Sequence, residues 1–385
     1  MQSDRIQLVD ALRGFSLFAI VLLHSIEHFG IFGQANLNPL FFNSSDKLIE
    51  DTLFFLFSGK AYSIFALLMG FSFWVQYERR KSNNENFAIR YSWRLLLLLI
   101  IGLAHAAFYS GDILVLYAIT GFILIITYKA PNWLLILLSI LLLAEPLGLY
   151  RTFSLINTDS IGIEEIKIRT FYKAVKVIRM DGSIPELLSG NLQYGLRGNN
   201  AWNWEHGRVF QTPGLFLVGV IVARIKLFQQ ESIKIWLPIL LFSAFSFIFI
   251  EIAGNKLLEI INTNLLQKHV SRVLTGYKNL AFTSLLIALF IICWNKLKGY
   301  KWLNIFVPYG KMSLSNYIFQ GFIGIFIFQG VGLRLFPYTG ATLCVIIGLL
   351  IFITQLQISK LHLRRFKQGP IEFAWRKLTW AKISR

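Results

Sequence analysis

Asp10-Ala-Leu-Arg13-Gly-Phe-Ser-Leu-Phe-Ala-Ile-Val-Leu-Leu-His24 is an apolar run with a guanidinium near its start and an imidazole at its end. Eleven residues separate the two. That is close to three helical turns, so on a helix both side chains project from one face, about 16 Å apart along the axis. Ionisable groups on a membrane helix are costly and are a functional hypothesis by default. The plainer reading has Arg13 snorkelling to inner headgroups and His24 wet at the outer interface.

Around this stretch the composition is that of a membrane protein. The 385 residues are 55% hydrophobic, include 35 Phe and are only 15% charged, with a mean hydropathy of +0.57. Ten apolar blocks, at 7–29, 52–76, 95–110, 113–128, 132–150, 210–224, 235–252, 279–294, 313–332 and 339–358, lack the polar faces of soluble helices. The expected fold is therefore all-α, a polytopic transmembrane bundle of about ten spans. Arg13 interrupts the first run and no small-residue cleavage site follows, so it does not read as a cleaved signal. Cys293 and Cys344 both fall in apolar spans and imply no disulfide framework.

The charge pattern orients the bundle. Arg79, Arg80, Lys81, Arg90 and Arg94 crowd one loop; Arg224, Lys226 and Lys234 mark the next basic one, and Lys296, Lys298 and Lys301 another. The tail adds Lys360, Arg364, Arg365, Lys367, Arg376, Lys377, Lys382 and Arg385. The loop 253–278, with Lys256, Lys268, Arg272 and Lys278, is the exception on the other side. The asymmetry predicts both termini inside. Topology and anionic lipid account for the net charge of +18, and no nucleic-acid motif accompanies it, so no nucleic-acid partner is expected. The chain divides into a membrane half at 1–150, an outer-side segment at 151–209, a second membrane half at 210–358 and a basic cytoplasmic tail at 359–385. Within the outer segment, Ile161 to Met180 reads as an amphipathic helix lying on the outer leaflet between spans five and six. Gly190 to Asn200 reads as a loop, and Trp202-Asn-Trp204-Glu-His206 as an interfacial anchor.

Few ionisable or amide groups fall in or beside the spans. His24-Ser-Ile-Glu27-His28 has the H-x-x-E-H pattern, but no third ligand accompanies it and no metal is expected. The cluster reads instead as titratable groups, with His24 as a base oriented by Glu27 or His28. Lys60 interrupts the second span beside Gly59. His105 and Asp112 are placed to pair across a tight hairpin. Glu205 and Arg208 precede the sixth span. Lys311 and Ser313, the expected N-cap, open the ninth, where Asn316 and Gln320 share a face suited to interhelical hydrogen bonds. His24, Glu27, His28, Lys60, Asp112, Glu205 and Arg208 all fall at one membrane level, which predicts a shared outer cavity.

Several strings together resemble the bacterial YeiB-like family, domain of unknown function 418. These are Leu12-Arg-Gly-Phe15 with Leu22-Leu-His24, Ser58-Gly-Lys-Ala-Tyr-Ser63 with Leu67-Leu-Met-Gly70, and Arg94 to His105 with Gly111-Asp-Ile-Leu-Val-Leu-Tyr-Ala118. Gly310-Lys-Met-Ser-Leu-Ser-Asn-Tyr317 and Arg365-Phe-Lys-Gln-Gly-Pro-Ile-Glu372 with Trp375-Arg376 complete the set. Members of that family often carry Asn at the position of His24. The family is similar to transmembrane acyltransferases, including the acyltransferase-3 proteins, whose R-x10-H signature the Arg13–His24 spacing resembles, and the heparan glucosaminide N-acetyltransferase.

The resemblance implies a multi-pass protein of the bacterial inner membrane that takes acyl-CoA as a co-substrate from the cytoplasm, with no permanently bound cofactor. It modifies a glycan or lipid acceptor on the outer face. On that reading His24, Glu27 and His28 are catalytic and Arg13 and Lys311 hold the donor. Lys60, Asp112, Glu205, Arg208, Asn316 and Gln320 face the acceptor. Membrane lipids are the expected partners, and homo-oligomerisation stays open. A small-molecule transporter lined by the same charges and a non-catalytic membrane scaffold or stress protein are the alternatives.

Overall fold

The computed structural model describes residues 7–31, 43–81, 86–158, 160, 162–296 and 302–380. Lys298, Lys301, Lys382, Arg385 and half of the loop between the first two apolar blocks, 32–42, lie outside them. The described residues are predominantly helical, joined by turns and short irregular stretches, with no strand. In order they form α1 (Gln7–Ile26), α2 (Asn43–Phe57), α3 (Ala61–Arg80), α4 (Phe87–Phe108), α5 (Leu114–Thr120), α6 (Phe122–Thr127), α7 (Asn132–Leu143) and α8 (Pro146–Thr158). Then come α9 (Ile168–Asp181), α10 (Ile184–Gly190), α11 (Leu196–Glu205), α12 (Arg208–Arg224), α13 (Ile233–Ile260) and α14 (Asn264–Lys296). The last four are α15 (Phe306–Lys311), α16 (Ser313–Phe328), α17 (Ala341–Arg365) and α18 (Pro370–Trp380).

Every apolar block falls in a helix, but the expected ten spans reduce to a smaller set. Among the described residues, six helical segments are long and apolar enough to cross a membrane: α1, α2 with α3, α4, α13, α14 and α17. The number rises to eight if each of two bent pairs counts as one span, α7 with α8 at 52° and α10–α11 with α12 at 68°. The remaining blocks form shorter apolar helices, Leu114–Thr127 and α16. At 1.5 Å per residue, the 16 residues of α16 reach about 24 Å, less than a hydrocarbon core of ~30 Å.

α1 is the centre of the bundle and packs against α3, α15, α16 and α17. Its apolar window is 72% buried, against 11% for α13, whose packing is chiefly with α14. The Phe242, Phe245 and Ile248 face of α13 is correspondingly exposed. Close helix approach rests on glycine pairs, since bare backbone lets helices meet where a methyl would not fit. A Cβ on Gly70 of α3 would lie 1.9 Å from the Phe216 carbonyl oxygen, and one on Gly219 of α12 would lie 2.0 Å from that of Leu67. Gly14 and Gly310 form the same reciprocal contact between α1 and α15.

The segment at 151–209 is more ordered than its composition implies. The amphipathic helix is present as α9 but begins at Ile168, after an irregular stretch. Gly190 to Asn200, expected as a loop, is helical, with a π-helical turn at Asn191–Gly195. The reason lies in Asn191, a loop-like residue put to internal use. Its Nδ2 donates to the carbonyls of Ala107 (3.1 Å) and Phe108 (2.6 Å), and its Oδ1 accepts from Arg179. Ser313 is not the N-cap of α16 through its side chain. The α16 amides of Leu314 and Ser315 donate instead to Glu372 of α18, at 2.7 and 3.1 Å.

Candidate active site

At the end of the bundle that carries Arg79, Arg80 and α18, a cavity of about 980 Å³ enters between α1, α3, α4 and α18. Arg13, Arg79, Arg80, Arg94, Arg224, Lys226, Lys311 and Arg376 line it, against Asp10, Glu78 and Glu372. The excess of cations makes it a place for an anion. Arg13 does not reach for headgroups. Its Nη1 donates to Asp10 (3.0 Å) and its Nη2 to the Ser72 hydroxyl (2.8 Å), which fixes the guanidinium in the cavity wall. Arg94 stacks on Trp375 at 3.4 Å, and Arg80 stacks on Trp380 at 3.4 Å. These stacks hold α18 against the cavity. The cavity runs inward as far as Phe65, Leu98, Leu114 and Tyr117.

Beyond that inner end lies a group of buried rings. His24 packs against Tyr109 (5.0 Å between centroids), Phe29 (5.7 Å) and Tyr317 (6.4 Å), and its Nδ1 is buried with no hydrogen-bond partner. His105 packs against the same Tyr109 and Tyr317, at 5.8 and 5.3 Å. Its Nδ1 lies 2.7 Å from Asp112 Oδ2, so the expected hairpin pair forms. Glu27 is half-buried, within electrostatic range of Arg208. Arg208 in turn stacks on Tyr62 (4.0 Å) and Trp202 (4.2 Å). The hydroxyl of Tyr117, at the cavity's end, donates to the Tyr62 carbonyl at 2.9 Å. His24, Glu27, His105, Asp112 and Arg208 are thus brought together.

The other expected members have different partners. α1 ends at Ile26, and His28 has left the helix with a φ of 48°. The four-residue spacing therefore does not hold it beside His24. Its Nε2 donates to the Thr339 carbonyl (3.0 Å), beside Cys344. Lys60 sits at the break between α2 and α3, over the rings of Phe55 and Phe282. Glu205 is held by Arg151 through both carboxylate oxygens, at 2.6 and 3.1 Å, and accepts the Ile166 amide at 3.1 Å. Asn316 donates to the Tyr309 carbonyl and the Ser359 hydroxyl, joining α16 to α15 and α17. Gln320 is fully buried with both amide atoms unpartnered. No group of three or more His, Cys, Asp or Glu able to hold a metal occurs among the described residues.

Two features escaped the reading of the sequence. Arg179 is buried on α9 and donates to Asn191, the Ser110 hydroxyl and the Gly30 carbonyl, pinning α9 over the end of α1. Nothing local marks it, since all its acceptors are neutral and lie on other elements. The second was visible: Arg94 and His105 are also eleven residues apart.

Comparison with known proteins divides the chain at its middle. Residues 5–170 match the family model described as heparan-alpha-glucosaminide N-acetyltransferase, catalytic, and residues 222–382 match that of DUF418, a protein of unknown function. The first match contains both Arg–His helices, and the second contains Lys311, Glu372 and α18. Protein YxaH of Bacillus subtilis (strain 168) is 26% identical, covering 100% of this chain and 97% of its own. A 39.9 kDa protein in the amylase 3' region of Bacillus acidopullulyticus is 26% identical over 98% and 94%. Protein YeiB of Escherichia coli (strain K12) is 26% identical over 96% and 95%. No solved structure matches the chain. End-to-end similarity to YeiB, a DUF418 match over the second half and an N-acetyltransferase match over the helices of the site together support one reading: the chain is similar to the YeiB-like DUF418 family and to the membrane acyltransferase type of heparan-alpha-glucosaminide N-acetyltransferase.

Proposed function

We propose that this protein transfers an acyl group from acyl-CoA, bound from the cytoplasm, to a hydroxyl or amine on the outer side of the bacterial cytoplasmic membrane. The observation that carries this reading is the basic cavity and where it ends. A phosphate-bearing donor suits a mouth lined by Arg79, Arg80, Arg94, Lys311 and Arg376, because guanidinium forks bind phosphate with charge and geometry together. The inner wall at Leu114 and Tyr117 suits a long, thin arm that carries its acyl end toward His24, His105 and Arg208. On this reading Arg13 and Lys311 hold the donor, while His24, Glu27 and Arg208 face an acceptor entering beneath α9–α11. The positive-inside pattern supports a cavity mouth and both termini in the cytoplasm. In the full reading all ten apolar blocks are membrane elements, the short and bent ones enclosing the site. A glycan or a lipid is the expected acceptor.

The test uses purified protein in lipid nanodiscs. CoA should bind, and Arg13→Ala should weaken it about 30-fold, the equivalent of ~2 kcal/mol for a charge-assisted contact. A wild-type protein that binds no CoA would overturn the proposal, and uptake of a solute by vesicles without acyl product would replace it with transport.

A further inference from the structure

Resting on that reading, we infer that the group taking the acceptor's proton is His105, positioned by Asp112. His24 is then the second imidazole of the site. α1 and α4 carry the same device. Each begins at the basic end of the bundle, places an Arg in the cavity wall (Arg13, Arg94) and carries a His eleven residues later. Both imidazoles then meet the same two tyrosines, Tyr109 and Tyr317. What separates the two helices is the environment of the ring.

His105 is 2% exposed. Asp112 Oδ2 lies 2.7 Å from its Nδ1, and Asp112 Oδ1 accepts the Val115 amide at 3.0 Å. The carboxylate is held at both oxygens. An ionised carboxylate only accepts, so Nδ1 carries the hydrogen and Nε2 presents its lone pair. That Nε2 is buried with no partner. A purely structural imidazole at this depth is ordinarily satisfied at both nitrogens. The space before Nε2 is kept open by Gly321 of α16, where a Cβ would come within 2.6 Å of it. Asp112 also begins the turn into α5, whose first residue, Leu114, forms the cavity's inner wall. His24 has no carboxylate hydrogen-bonded to its ring.

In the step assigned here, the acceptor's O–H or N–H proton passes to His105 Nε2 as its oxygen or nitrogen attacks the thioester carbonyl. The new C–O or C–N bond forms, the C–S bond breaks, and the proton passes to the departing sulfur, which leaves as the CoA thiol. Asp112 stays ionised throughout and acts as a positioning residue.

Nanodiscs of Escherichia coli lipid, supplied with acetyl-CoA, allow the test, with CoA affinity and release of free thiol read separately. His105→Gln should keep CoA affinity within about twofold and lower thiol release by ~10²–10⁴-fold. Imidazole added to His105→Gly should restore part of the rate, which a structural role would not allow. Asp112→Asn should lower kcat with KM for acetyl-CoA unchanged. If His105→Gln loses CoA affinity, its fold is lost and Gly321→Ala carries the test: it should bind CoA normally and release little thiol. Near-wild-type turnover in His105→Gln overturns the assignment, as does loss of turnover in His24→Ala with His105→Gln active. Wild-type protein that binds CoA but releases no thiol fails at the level of the transfer reading, and the assignment falls with it.

Discussion

Arg151 and Glu205 make the strongest residue-scale case for separating structure from chemistry. Glu205 was a candidate for the acceptor site because it falls at the same membrane level as the other ionisable groups. Its partner is 54 residues away, and both side chains are about 1–2% exposed. Removing one member of such a pair leaves a buried charge uncompensated, a loss of roughly 3–5 kcal/mol. Glu205→Ala and Arg151→Ala should each lower the melting temperature sharply, and the double variant by less than their sum, in a double-mutant cycle followed by thermal unfolding. Equal losses that simply add would refute the pairing. The pair readable from sequence here is the one whose members are local, His105 on Asp112. Arg179 and Glu205 were not readable because their partners come from other elements.

At the scale of elements, apolar blocks and their centres were legible because hydrophobic length is a strong, local signal. What misled was glycine and asparagine. In Gly190 to Asn200 they mark close packing and buried hydrogen bonds rather than a break, and the sequence pattern for the two uses is the same. Gly70→Ala or Gly219→Ala should cost about 1–3 kcal/mol by forcing α3 and α12 apart, measured by thermal unfolding in detergent. The stretch before α9 carries a pH-sensitive tie. Burial works to raise the Glu165 carboxyl, but its hydrogen bond with Lys268 and the charges of Arg272, Lys268 and His269 outweigh it and hold Glu165 below the usual carboxylate range. A carboxyl depressed on folding stabilises above its unfolded value and loses that contribution as pH falls through its folded value. Hydrogen exchange in 163–168 should therefore rise below about pH 4.5 in the wild type. In Glu165→Gln it should already be raised at pH 7; exchange identical in the two proteins at pH 7 would rule the tie out.

For the molecule as a whole, orientation and charge make separate claims. In a background lacking Cys293 and Cys344, a cysteine at Asn157 should react with an impermeant label from outside intact cells and one at Lys129 should not. The reverse pattern would invert every inside and outside assignment made above. Affinity for CoA should fall steadily as salt rises from low to physiological ionic strength, because the cavity mouth is partly exposed and its field is screened. A flat dependence would mean that apolar contacts rather than Arg and Lys hold the donor.

The Glu372 carboxylate on the first amides of α16 also has a consequence for biogenesis. It lies 58 residues downstream of the Leu314 amide it binds. While α16 leaves the insertion machinery, that carboxylate is still being translated, and the helix waits with its N-terminal donors uncapped. The cavity rim is therefore completed only once α18 has emerged from the ribosome. Nascent chains stalled at Arg365 should integrate their apolar helices and retain no CoA; puromycin release of the stalled chain should not restore retention, whereas release of a chain that includes α18 should.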